Sequence, residues 1–182
     1  MAGSLLSCGG PTTSETAENG EVAIDSTDDT KTIVENGEIT AEDMIFYTFM
    51  NNEMQAGLAR AAQEKAASQS VKDLSEQLVI GNKEIAAKLE DLAKAANVPL
   101  PGGLEVEQQT TMDSVQQLSP EAFDQAYVDM LAKKQKDNIE MLEDLSAQAD
   151  NAIVRGLASD IIDIQQTQIE EIESVQGEIG SM

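Results

Sequence analysis

The residues best placed to do chemistry in this chain are uncharged amides that interrupt apolar helical patterns. Amide side chains both donate and accept hydrogen bonds, but they do not titrate and are poor ligands for transition metals. We therefore expect a buried polar layer held by hydrogen bonds, with exposed edge positions as the alternative and a ligand site built on amides as a weaker one. The amides are Gln55, Asn82, Gln135, Asn138, Gln165 and Gln168.

The arrangements of residues that are typical of enzymes are missing from the sequence. It contains no histidine, which removes the Ser-His-Asp triad and the Glu-x-x-His motif of di-metal bundles. Pro101-Gly102-Gly103 is typical of a turn, and no glycine-rich phosphate loop occurs. We therefore expect a protein that is not an enzyme and carries no cofactor.

Two further groups of side chains could bind a metal. Thioethers are soft ligands for Cu(I), but methionine in a helical apolar stripe is more typical of core packing. Mid-helix glutamates could hold iron or calcium, but most of them alternate with lysine, as on a solvated helix face. The residues concerned are Met50, Met54, Met130 and Met141, and Glu53, Glu84, Glu140 and Glu143.

The composition favours helices and excludes one class of partner. Aromatic residues make up 3% of the chain, and Ala, Leu, Ile and Met supply much of its hydrophobic content. There are 34 acidic residues against 11 basic ones, for a net charge of -23. Such a surface repels the phosphates of nucleic acids, so we expect no nucleic-acid binding.

The N-terminal segment carries a second kind of signal. Leu5-Leu6-Ser7-Cys8 resembles a bacterial lipobox, whose cysteine is lipidated, yet none of the preceding residues is basic. We favour loss of an upstream signal sequence over a chance match. Residues 1–40 contain eight acids and one lysine, which predicts a disordered acidic linker over residues 1–39. We therefore expect the chain to reach the membrane through lipid on Cys8.

Four long helices and one short one must position the amides. Periodicity predicts helices over about 41–67, from Ser68 or Ser70 to about 97, over 120–148 and over about 151–178, with a shorter helix at about 105–117. Thr40 with Asp43, and Asp150, are the expected N-caps of the first and last helices. Short turns predict two antiparallel hairpins, and residues 98–119 would cross between them. Residues 40–182 should therefore form one all-α antiparallel four-helix bundle, with the amides at similar heights.

Several segments resemble a known family. They are QAGLARAAQEKA from Gln55, GNKEIAAKLEDLAKAANVPLP around Asn82, and LSPEAFDQAYVDM around Phe123–Tyr127. These segments resemble the ferritin-like domain of unknown function 4142, and the second half is also similar to domain of unknown function 305. The resemblance covers about residues 41–178 and implies a ferritin-like bundle in exported bacterial proteins, often lipoproteins.

The resemblance also implies that a metal site has been lost. Relatives commonly carry Glu near Gln55, and His near Asn82, near Gln135 and near Thr167 or Gln168. We therefore expect a non-catalytic, lipid-anchored protein of the periplasm or cell surface, with the outer membrane favoured. It would be a binding or stress-related envelope module with a degenerate metal site. Its partner would be an envelope protein or a small ligand. The alternatives are a ferritin-like copper or iron binder that uses Met and carboxylates, and a soluble cytoplasmic interaction protein.

Overall fold

The computed structural model describes residues 40–181, so Cys8 and the predicted acidic linker lie outside the described residues. This part of the chain is all-α, as the sequence predicts, and the short extra helix is present. The helices are α1 (Ala41–Lys65), α2 (Gln69–Ala96), α3 (Val106–Gln116), α4 (Pro120–Gln148) and α5 (Ala152–Ile179).

Local hydrogen bonds explain where the first and last helices begin. Thr40 Oγ1 accepts from the Asp43 backbone N–H at 3.2 Å, and an Asp43 carboxylate oxygen accepts from the Thr40 backbone N–H at 2.9 Å. This reciprocal capping box confirms the predicted start of α1. The prediction of Asp150 as the cap of α5 is wrong. Asn151 occupies that position, and its Oδ1 accepts from the Ile153 backbone N–H at 2.8 Å, because the helix begins one residue later than expected.

The four long helices form the predicted antiparallel bundle. α1 pairs with α2, and α4 with α5, while α2 also packs on α5 and α1 on α4. α2 and α4 both start at the same end of the bundle, so they run in the same direction. Residues 97–119 must therefore traverse the length of the bundle, and α3 lies in this crossover against α1 and α4.

The apolar core is divided into two clusters, one at each end of the bundle. The first apolar cluster lies around the α1–α2 turn and includes Leu58, Leu78 and Phe123. The second lies around the α4–α5 turn and includes Ile85 and Leu142. Each of the four long helices contributes to both clusters, so the polar residues between them occupy the middle of the bundle.

One apolar stripe differs from the prediction. Apolar periodicity in the sequence of α1 predicts a stripe of Tyr47, Met50, Met54, Leu58 and Ala61, of which Tyr47 and Ala61 are only half-buried. Met50, Met54 and Leu58 are buried as predicted, and the buried face also includes a second line with alternating spacings of three and four residues: Ile45, Thr48, Asn52, Gln55, Ala59 and Ala62. Hydrophobic periodicity alone does not reveal this second line, because its small and polar members are buried only through the packing of α1 against its neighbours.

Two helices depart from their predicted stripes in smaller ways. Apolar periodicity in α2 predicts a stripe that runs from Val71 to Ala96, but Ala96 is exposed. On α5, the predicted stripe residues Leu157 and Ile164 are half-buried, while Val154 and Ala158 are buried.

None of the helices among residues 40–181 combines the length and hydrophobicity needed to cross a bilayer.

Candidate functional site

The candidate site is a layer of buried amides between the two apolar clusters. We call it the amide layer; all its members are at most 5% exposed, so they do not lie at a solvent-exposed edge. All four long helices contribute to it, and the predicted amides lie within about one helical turn of one another on α4 and on α5. Its members are the predicted Gln55, Asn82, Gln135, Asn138, Gln165 and Gln168, together with Asn52, which the sequence reasoning missed.

Gln135 lies at the centre of the hydrogen bonding in this layer. Its Nε2 donates to Gln168 Oε1 at 2.7 Å and to Gln55 Oε1 at 3.3 Å. Gln135 is fully buried, so these bonds form away from solvent. Side chains from α1, α4 and α5 are therefore connected through one amide nitrogen.

Two other bonds lie beside this central group. Asn138 Nδ2 donates to Gln165 Oε1 at 2.8 Å, which connects α4 to α5. Asn52 Nδ2 donates to the Asn82 backbone carbonyl at 3.0 Å, which connects α1 to α2. Each of these bonds joins the two helices of one hairpin.

The missing side chain of a glycine in α2 leaves the space that one of the amides occupies. A Cβ placed on Gly81 would lie 2.3 Å from Gln168 Nε2, far inside van der Waals contact. The absence of a side chain at residue 81 therefore lets the Gln168 amide of α5 lie directly against the α2 backbone. A glycine inside a helix costs stability relative to alanine, and here it is explained by this close approach.

The layer leaves several buried polar atoms unpaired. Among the described residues, none forms a hydrogen bond with the amide nitrogens of Gln55, Asn82 and Gln168. The side-chain oxygens of Asn52, Gln135 and Asn138, and the hydroxyl of the neighbouring Thr48, are unpaired in the same way. These seven atoms are Gln55 Nε2, Asn82 Nδ2, Gln168 Nε2, Asn52 Oδ1, Gln135 Oε1, Asn138 Oδ1 and Thr48 Oγ1.

The chemistry available in the layer is that of neutral hydrogen bonding. None of its members titrates near neutral pH, so it supplies neither a general acid nor a general base. Its amide oxygens carry no formal charge and are weak ligands for transition metals. The layer can orient a neutral polar guest, but it cannot drive proton transfer.

The other candidate ligands are distributed through the bundle. Met54 and Met130 pack in the first apolar cluster, and Met141 packs in the second. Met50 is also buried, at 1% exposure. Each methionine is thus enclosed among helices, as expected for residues that fill a core.

The mid-bundle glutamates lie at the surface. Glu84, Glu140 and Glu143 are exposed, and Glu53 is half-buried. Within residues 40–181, no three His, Cys, Asp or Glu side chains are grouped so that they could hold a metal ion.

Asp124 is a buried carboxylate that the sequence reasoning did not single out. Its oxygens accept from the backbone N–H groups of Ser68 at 2.7 Å and Ala67 at 3.2 Å. It is 4% exposed and joins the start of α4 to the α1–α2 turn. Its position beside the stripe residue Phe123 was a weak signal, but its partners lie more than 50 residues away in sequence.

Two aromatic residues complete this contact. Phe123 and Tyr127 stack with ring centroids 5.5 Å apart, and Lys65 Nζ lies 5.9 Å from the Phe123 centroid. Burial raises the pKa of Tyr127, because the phenolate would lose its hydration. The segment Phe123–Tyr127 thus fastens α4 to the first hairpin. We call Asp124 with its two backbone donors the turn clamp.

Comparison with known proteins identifies relatives by family and by fold. A solved structure described as a DUF305 fragment from Deinococcus radiodurans superposes with a TM-score of 0.67 at 14% identity. The match covers 76% of this chain and 95% of that one, and at this identity it shows a shared fold. No curated protein matches the sequence. The model of a domain of unknown function, DUF4142, matches residues 34–175, and this chain belongs to that family.

Proposed function

We propose that this protein is a non-catalytic, ferritin-like four-helix module of the bacterial cell envelope. Leu5-Leu6-Ser7-Cys8 supports an anchor through lipid on Cys8, in the periplasm or at the cell surface, with the outer membrane favoured. The single long crossover between α2 and α4 is the connectivity of ferritin-like bundles and supports that description. In this role the bundle presents its outer surface to an envelope protein or a small ligand.

The observation that carries the proposal is the chemistry of the amide layer. Di-metal bundles place inward-facing Glu residues and Glu-x-x-His motifs at mid-height, where charge and imidazole nitrogen bind the ions. Here the mid-height positions hold neutral amides, and Gln135 donates to both Gln55 and Gln168. Amides that bond to one another stabilise the arrangement of helices without supplying metal ligands. A degenerate metal site that has become a structural layer accounts for these contacts.

Metal uptake by the whole chain tests this proposal. The protein would be exposed separately to Cu(I), Fe(II), Zn(II) and Ca(II), desalted and subjected to elemental analysis. We expect no stoichiometric metal. One or two retained ions per chain would refute the proposal in favour of the metal-binding alternative. Loss of those ions in a Met50→Leu, Met54→Leu variant would then assign them to the methionines.

A matched variant shows that the assay can detect a site at this position. Gln55→Glu, Gln135→His and Gln168→His place a carboxylate and two imidazoles where three amide groups now meet. We expect this triple variant to retain Zn(II) or Cu(II) under the same treatment, since these ions favour imidazole and carboxylate ligands.

The anchor has its own test in a bacterial host. The gene would be expressed from its genomic start, with radiolabelled palmitate in the medium. We expect label in the protein and its recovery in the membrane fraction, both abolished by Cys8→Ser. Unlabelled protein in the cytoplasmic fraction would refute the anchor and favour the cytoplasmic interaction protein.

A further inference from the structure

The unpaired atoms of the amide layer are divided between the two hairpins. The α1–α2 hairpin contributes Thr48 Oγ1, Asn52 Oδ1, Gln55 Nε2 and Asn82 Nδ2. The α4–α5 hairpin contributes Gln135 Oε1, Asn138 Oδ1 and Gln168 Nε2. Buried polar groups without a partner are strongly unfavourable, and native proteins rarely leave even a few of them unpaired. Seven such atoms in the middle of one bundle, spread over about two helical turns of α1, therefore indicate a guest that pairs with them.

The mixture of atoms defines the chemistry of that guest. A bare cation needs oxygens alone, and an anion needs N–H donors alone, whereas the layer presents three amide nitrogens, three amide oxygens and a hydroxyl. This mixture does not depend on how the amides are turned, because every amide has one donor end and one acceptor end. The guest must therefore be neutral and must both donate and accept hydrogen bonds.

The surroundings select a small guest. Apolar clusters close the layer above and below, and its amides are at most 5% exposed. We propose that the amide layer is a binding site for internal water molecules shared between the two hairpins. A buried water forms about three hydrogen bonds, so the seven unpaired atoms accommodate about two or three waters.

The direct bonds show what these waters do. Among the described amides, only Gln135 to Gln55 joins the two hairpins, and its 3.3 Å separation lies beyond the usual range. The Gln135–Gln168, Asn138–Gln165 and Asn52–Asn82 bonds each lie within a single hairpin. The unpaired ends of Gln55, Gln135 and Gln168 belong to the amides that already meet at Gln135 Nε2. Waters at these ends connect the hairpins across the middle of the bundle.

Relaxation of water oxygen-17 over a range of magnetic fields tests the proposal, because it counts waters that stay in a protein far longer than surface waters. It would be measured on the full chain, on Gln55→Leu/Gln135→Leu/Gln168→Leu, and on Gln125→Leu as an exposed control in α4. The triple variant removes three of the seven unpaired atoms, so we expect the wild type and the control to hold about one more long-lived water than the variant. Equal counts in all three proteins would overturn the proposal.

A high-resolution crystal structure of the wild type decides the question even if the triple variant does not fold. We expect ordered water within hydrogen-bond distance of Gln55 Nε2, Gln135 Oε1 and Gln168 Nε2. Direct pairing of these ends with one another, or a non-water molecule among them, would overturn the proposal.

Discussion

Replacing Gln135 by leucine removes the centre of the amide layer and leaves two buried acceptors without their donor. Gln168 Oε1 loses a 2.7 Å bond, and Gln55 Oε1 loses a longer one of 3.3 Å. Because Gln135 is fully buried, solvent does not reach the stranded oxygens from its side of the layer. The variant therefore isolates the contribution of hydrogen bonding inside the bundle.

The expected magnitude follows from these contacts. Stranding Gln168 Oε1 costs about 2–3 kcal/mol, and losing the weaker bond to Gln55 costs about 0.5 kcal/mol. Removing the unpaired Gln135 Oε1 and burying a leucine offset about 1 kcal/mol of this. We expect Gln135→Leu to lower the free energy of unfolding by about 1–3 kcal/mol, toward the smaller value if internal water reaches the stranded oxygens.

Equilibrium denaturation in urea measures the effect, since the midpoint should fall while the slope stays the same. Gln125→Leu, an exposed change on the same helix, should stay within about 0.5 kcal/mol of wild type. A double-mutant cycle with Gln168→Leu should give a coupling energy of about 1 kcal/mol, because the second change removes the stranded acceptor. A Gln135→Leu protein at least as stable as wild type, with zero coupling, would refute the hydrogen-bonded layer.

Asp124→Ala should lower the free energy of unfolding by about 3 kcal/mol, because the turn clamp loses two hydrogen bonds to a buried carboxylate. A decrease of less than about 1 kcal/mol, measured by urea denaturation, would contradict the role of the turn clamp. Gly81→Ala should raise the free energy of unfolding by about 1 kcal/mol, through helix propensity, only in a Gln168→Ala background. With Gln168 present, the new Cβ would lie 2.3 Å from Gln168 Nε2. Equal effects in the two backgrounds would contradict that close approach. The raised pKa of Tyr127 means that above its ordinary value of 10.0 the unfolded chain loses a proton that the folded chain keeps. Stability should therefore be full below about pH 10 and fall by about 1.4 kcal/mol per pH unit above it. Urea denaturation between about pH 9 and 11 should show a smaller fall in the free energy of unfolding for Tyr127→Phe than for the wild type. The same fall in both proteins would contradict a raised pKa of Tyr127.

The predictability of this fold differs from helix to helix. In α4, the predicted line through Phe123, Leu131, Gln135 and Leu142 is buried throughout, because bulky apolar residues recur there at helical spacing. In α1 the buried face combines apolar residues such as Met54 and Leu58 with small and polar residues such as Thr48 and Asn52. Since small residues let helices approach closely, their burial depends on neighbours that a single helix pattern does not reveal.

The candidate site could be predicted as a level of the bundle but not as a set of contacts. The short turn within each hairpin places Gln55 near Asn82 in height, and Gln135 near Gln165. Thr48, Asn52 and Gln55 share a helix face at successive spacings of four and three residues, a signal that would have added Thr48 and Asn52 to the site. Asp124 offered only its position beside Phe123, because its partners come from another hairpin.

The all-α class, the two hairpins with a long crossover, and a neutral amide near the middle of every long helix follow from local sequence patterns. These properties depend on periodicity, capping residues and turn lengths, which act over a few residues. Three contacts follow instead from tertiary packing: Gln135 donates to Gln168, the Gln168 amide lies against Gly81, and Asp124 accepts hydrogen bonds from the α1–α2 turn. Those contacts join residues distant in sequence, so they depend on how each helix is rotated and packed against its neighbours.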